Sequence, residues 1–179
     1  MRKFSFTLPD GTKINVHPPT VRQYYIEYQR AENVPEMCKA IVGIISRNDE
    51  DLTFSAEDIM KNFRTEDLAV FMVEFPAWIK NEKESDPALC VPYYPFESAN
   101  KTYFQCRSGF RKIAADYCNC SLNDIYSLDI FEYWEILHDA VVWNRSSTEE
   151  GREYLEKAYD YQQTEPDRTG LRRVLSGGK

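Results

Sequence analysis

Four residues could in principle hold a metal ion: Cys106, Cys118, Cys120 and His138. Structural zinc usually takes its ligands from closely spaced cysteine pairs with a few residues between them. Here Cys118 and Cys120 flank a single residue, their companions are scattered, and Cys106 sits on an apolar stripe, so these thiols read as packing side chains. The cysteine count is odd and irregularly spaced (Cys38, Cys90, Cys106, Cys118, Cys120), unlike the paired framework of a small secreted domain, and all five are expected to be free. Nucleophilic catalysis finds no support: there is no G-x-S-x-G, His17 precedes two prolines at a strand end, and His138 stands in no recognisable relation to a Ser or Cys. The glycines are scattered and the only Gly-Gly is Gly177-Gly178, so no phosphate-cradling loop is visible. The paired acids Glu149-Glu150 and Asp129 with Glu132 fall at helix starts, where carboxylates favour the positive end of the helix dipole and need no catalytic role. The expectation is a chain that is not an enzyme and carries no cofactor and no metal.

Partner surfaces are what remains. Tyr24, Tyr25 and Tyr28 share roughly one helix face; most of that face is expected in the core, with Tyr25 and Arg22 the members left for a partner. The C-terminal stretch from Thr164 to Lys179 is polar and broken by Pro166 and Gly170, yet it contains Leu171, Val174 and Leu175 beside Arg168, Arg172 and Arg173. Apolar residues in a mobile tail suggest a docking peptide, with Leu171 as anchor and Arg168, Arg172 and Arg173 steering towards an acidic surface. The net charge is −7 with the acidic excess spread over both halves, so no broad basic face offers itself to nucleic acid. No apolar run approaches the roughly 20 residues a membrane span needs, and the N-terminus lacks an apolar signal core, so a cytoplasmic protein without a membrane partner is expected.

The elements that must position these residues can be read from periodicity. Phe4, Phe6 and Leu8 alternate, Pro9-Asp10-Gly11 turns, and Ile14 and Val16 alternate again: a β-hairpin, stopped by His17-Pro18-Pro19. Thr20 with Gln23 forms a capping box that starts a helix. Pro35 suits the first turn of a second helix with the stripe Met37, Cys38, Ile41, Val42 and Ile45. Ser55 with Asp58 resembles another helix start, and Thr65 should cap a helix bearing Leu68, Phe71, Met72, Phe75 and Ile79, which Pro76 should kink or end. Further on, Tyr103, Cys106, Phe110, Ile113 and Tyr117 recur at helical spacing, Ser121 can cap a short helix, Ile130, Trp134, Leu137 and Val141 mark another, and Thr148 begins a last one. Between them, Lys83 to Pro87, Pro92 and Pro95 break the pattern. The expected fold is mainly α with a small N-terminal β-hairpin: a hairpin-plus-helices domain at 1–81, a linker at 82–97, a small helical bundle at 98–163 and a mobile tail at 164–179.

The run Leu8-Pro9-Asp10-Gly11-Thr12-Lys13-Ile14-Asn15-Val16-His17-Pro18-Pro19-Thr20-Val21-Arg22 resembles the opening of phage tail assembly chaperones, with a strand, a D-G turn, a second strand and a P-T helix start. Ser55 to Ile59 and Thr65 to Leu68 look like a later part of that pattern. Trp134 to Ala140, Gly151 to Leu155 and Asp167 to Arg172 look like the longer, frameshift-type form. The resemblance implies a holding function without catalytic residues: coating the tape-measure protein with the N-terminal half, recruiting tail tube subunits with the C-terminal half and its tail, and possible homo-oligomers. Its rivals are a structural tail or baseplate component and a small phage-encoded inhibitor of a host enzyme.

Overall fold

The computed structural model describes residues 4–7, 13–16, 18–45, 57, 59, 61, 63–96 and 106–163. Within them the chain is mainly helical with one antiparallel hairpin. Strand β1 (Phe4–Thr7) pairs with β2 (Lys13–Val16), Phe4 opposite Val16 and Phe6 opposite Ile14. The Pro9-Asp10-Gly11 turn and His17 lie outside the described residues. Two strands alone are marginal in water, so the hairpin depends on what its apolar face meets. Val16 is fully buried, and Phe4 meets Phe71 and Phe75 edge-on with ring centroids 6.1 Å away and stacks on Trp78 at 5.6 Å.

Buried Pro18 and Pro19 end the strand, and the capping box forms as expected: Thr20 N–H donates to Gln23 Oε1 (2.9 Å) and Gln23 N–H to Thr20 Oγ1 (3.2 Å). The helix that follows is not the ordinary α form. Gln23–Tyr28 is a π-helical turn, in which Gln29 N–H reaches back five residues to the Tyr24 carbonyl at 3.0 Å. Helix α1 (Val34–Ile45) has Pro35 in its first turn and buries Cys38, Ile41 and Ile45, the expected stripe. Ser55 and Asp58 lie outside the described residues, while Ile59 and Phe63 are buried on the approach to α2 (Thr65–Ser85).

One expectation about α2 is corrected, and of the two outcomes expected at Pro76 one does not occur. Its N-cap is Arg64, whose N–H donates to Asp67 Oδ2 at 2.8 Å, and Thr65 is the first helical residue. The helix also runs through Pro76 without ending. A proline forfeits a backbone hydrogen bond, but Phe71 and Phe75 before it and Ile79 after it are all fully buried, so both halves of the helix are anchored to the same core.

After a short 3₁₀ turn (Pro87–Leu89) come α3 (Gly109–Tyr117), α4 (Leu122–Ser127), α5 (Ile130–Ser146) and α6 (Glu149–Gln163). Their caps follow the sequence closely. Ser121 and Asp124 make a reciprocal box, Asp129 Oδ1 accepts from Phe131 N–H at 2.7 Å, and Thr148 Oγ1 accepts from Gly151 N–H at 3.1 Å. Asn119, with φ of 52°, makes the left-handed turn between α3 and α4, a conformation Asn tolerates better than most residues.

Residues 82–97, the expected linker, are placed as follows. α2 occupies the first four residues of that range, Leu89 is buried, and Tyr154 of α6 brackets the following backbone: its hydroxyl donates to the Pro92 carbonyl and accepts from Tyr94 N–H, each at 3.2 Å. One hydrophobic core takes residues from both expected domains, with Trp78 against Phe131 at 5.7 Å. Backbone bonds join them as well: Val21 N–H to the Leu128 carbonyl and Ile130 N–H to the Pro19 carbonyl, both 2.9 Å. The prolines and charges of this stretch mark a loss of helical period, which is not a loss of burial. No helix among the described residues is long and apolar enough to cross a membrane.

Candidate functional site

The two residues singled out from sequence here, Arg22 at the N-cap of the π-turn and Tyr25 within it, stand on one ladder of alternating rings and cations. Arg22 is exposed, its guanidinium 5.1 Å from the Tyr126 ring centroid. Arg111 lies over the same ring at 5.5 Å and over Tyr25 at 5.9 Å. Tyr25 is half-buried; its hydroxyl accepts from Trp134 Nε1 at 3.0 Å, and Lys83 Nζ sits 4.5 Å over the Trp134 ring. The ladder draws on the π-turn, α2, α3, α4 and α5, so only the folded chain assembles it. Burial pushes the Tyr25 phenol up, against the opposing pull of the Trp134 hydrogen bond and the Arg111 charge. Tyr24 and Tyr28 pack inward, as most of that face was expected to do, but Tyr25 packs against the same core, so of the two residues expected to face outwards only Arg22 is exposed.

From this ladder a trough runs between α3 and α5 as three adjoining cavities. The first, of about 460 Å³, is bounded by Tyr25 and Trp134 and carries Lys83, Arg107 and Arg111. It shares Phe110 and Val91 with a second of about 320 Å³, which shares Ile113 and Asn144 with a third of about 670 Å³ ending at Tyr117 and Trp143. Cavities of this size are usual for ligand or side-chain recognition. Phe110 is 61% exposed, Tyr117 45%, Tyr93 63% and Trp143 72%, so the trough is rimmed by aromatic surface that the fold leaves in water.

That rim overturns the expected burial of the α3 stripe. α3 buries Ala114 and Ala115 and lies close against α5, while Phe110 and Tyr117 face outwards. Cys106 is likewise an exposed turn residue, its carbonyl accepting from Gly109 N–H, and the Ser108 hydroxyl beside its sulfur holds the thiol below its ordinary range. Tyr103 lies outside the described residues. Trp143 belongs to no apolar stripe, yet its spacing carries a signal. It lies nine residues after buried Trp134, and at about 100° per residue that puts it on the opposite face of α5.

Of the other candidates, Arg168, Leu171, Arg172 and Arg173 lie outside the described residues. The five cysteines are free thiols. His138 faces its neighbour Asp139 at 3.1 Å, and no three His, Cys, Asp or Glu side chains converge among the described residues. No family model, curated protein or solved structure matches this chain.

Proposed function

We propose that this chain is a non-catalytic holding module, a phage tail assembly chaperone, that covers an apolar segment of the tape-measure protein and hands it to tail tube subunits. The observation that supports it is the trough with its exposed aromatic rim of Trp143, Tyr117, Phe110 and Tyr93. Aromatic side chains carry large apolar area at little conformational cost, which suits a surface that must grip and later release an amphipathic helix. The trough takes its walls from both halves, Tyr25 and Lys83 from the first and α3 and α5 from the second, so the tape-measure segment is assigned to the trough and not to the N-terminal half alone. Recruitment of the tube subunit is assigned to Arg168, Leu171, Arg172 and Arg173. In an acidic protein these arginines offer the complementary sign to a partner.

Co-expression with a tape-measure segment tests the reading. The segment is expected to stay soluble and to co-purify with the chain, and a double variant Trp143→Ser, Tyr117→Ser is expected to lose it while keeping its melting curve. A wild-type chain that leaves the segment insoluble and captures no tail protein would falsify the proposal. Mass spectrometry of finished particles is the second check: a chaperone should be absent from them, and its presence at stoichiometric levels would favour a structural tail component.

A further inference from the structure

We infer that the ladder end of the trough is a carboxylate site, selecting a partner segment that carries an acidic side chain beside apolar ones. This rests on the trough reading and adds the chemistry of the occupant. Three cationic side chains, Lys83, Arg107 and Arg111, line one cavity, and among the described residues no Asp or Glu lines it, in a chain whose net charge is −7. Their positions are held from within: Arg111 Nη2 donates to the Arg107 carbonyl at 2.9 Å, and the rings of Trp134, Tyr25 and Tyr126 lie under Lys83 and Arg111. A ring face attracts a cation but brings no formal negative charge, so none of the described lining residues compensates the positive charge of the cavity.

The geometry of the guanidinium is the second observation. Arg111 Nε is itself buried, without a partner among the described residues, so the groups left to meet a carboxylate in the cavity are the remaining guanidinium hydrogens of Arg111 and those of Arg107, with the Lys83 ammonium beside them. A planar guanidinium is shaped to receive a carboxylate through two parallel bonds. The same end of the trough holds the start of α3, whose N-cap Ser108 supplies no side-chain acceptor, so the positive end of that helix adds to the field. A free anion would answer the charge but leave the aromatic walls wet. The cavity opens through Phe110 and Val91 into the apolar remainder of the trough, so an occupant that satisfies both ends is a peptide with an acidic residue followed by apolar ones.

The test uses the full chain and two synthetic amphipathic peptides, identical in their Leu positions and differing by a single Glu or Gln. Calorimetric titration is expected to give the Glu peptide an affinity about tenfold higher at low salt, with the advantage shrinking as salt rises. Nitrogen-15 NMR should show the Arg111 Nε–H and Trp134 Nε1–H resonances moving with the Glu peptide. Arg107→Gln should remove most of the difference between the peptides. Lys83→Arg should keep it and Lys83→Gln should reduce it, each variant melting as the parent does. Equal affinity for the two peptides would overturn the carboxylate site and leave the apolar trough standing. Failure of both to bind would remove the trough reading and this inference with it. Displacement of the Glu peptide by inorganic phosphate or acetate at matching concentrations would show a free-anion site and overturn the peptide assignment.

Discussion

Trp134 is buried at 4% exposure, and the single polar group it carries is satisfied by the Tyr25 hydroxyl. Tyr25→Phe keeps the ring and removes that acceptor, leaving a buried indole N–H unpaired. The expected cost is about 1–3 kcal/mol, read as a lower urea midpoint at unchanged slope. A midpoint within error of the parent would mean that the indole is hydrated or finds another acceptor. The cysteines separate at the same scale. Cys38 is buried and desolvation pushes its thiol up, whereas Cys106 is exposed and its thiol is lowered by Ser108. Brief treatment of native protein with iodoacetamide at neutral pH should therefore label Cys106 well before Cys38, as followed by peptide mass spectrometry. Preferential labelling of Cys38 would show that α1 opens readily.

Gly151 decides how α5 and α6 meet. A Cβ there would lie 2.0 Å from the Arg145 carbonyl oxygen, and Arg152 Nη1 bonds the neighbouring Ser146 carbonyl at 2.9 Å, so the backbone turn is closed against the residue. Gly→Ala inside a helix normally gains up to about 1 kcal/mol. Here overpacking against a backbone atom should outweigh that gain and make Gly151→Ala net destabilising by about 1–3 kcal/mol, visible as a lower melting temperature. An unchanged or higher melting temperature would show that the helix junction yields. The N-caps are the contrasting case at this scale. Thr20 with Gln23 was legible in sequence as a box and Ser121 as a cap, because each satisfies its own backbone within three residues, whereas Asp129 was legible only as an acid at a helix start and proves to be the cap.

At the scale of the whole molecule, the tyrosines couple stability to alkaline pH. Burial, followed by the neighbouring Tyr24, pushes the Tyr28 phenol up to about 12 from an ordinary 10.0, and burial also raises Tyr25 and Tyr133. A folded value above the unfolded one means that the native state holds the proton longer. The contribution is thus complete below pH 10.0 and is lost as pH climbs towards about 12. Urea midpoints should begin to fall as pH passes the ordinary thiol value, where buried Cys38 holds its proton, and fall more steeply beyond the ordinary tyrosine value, and Tyr28→Phe should flatten the second part of that fall. A profile flat throughout would mean that the phenols ionise without unfolding pressure. Because one core and two backbone bonds join the halves, far-ultraviolet and near-ultraviolet circular dichroism should also report a single coincident transition. Two separated transitions would favour the division into two domains.

Local chemistry was open to reading from the residues alone: the alternating strands, the stripe of α1, the capped starts, and the helix that carries Ile130, Trp134 and Leu137. Each follows from interactions spanning a few residues. What faces what was settled only by tertiary packing. Pro76 stays within a helix because buried residues on both sides anchor it, and the stretch after Asn81 joins the core although it has no period. α3 turns its alanines inwards because α5 lies close against it, and Phe110, Tyr117 and Trp143 are thereby left on the rim of a trough. The ladder from Arg22 through Arg111 to Lys83 joins residues far apart in the chain, and no local pattern encodes such a meeting.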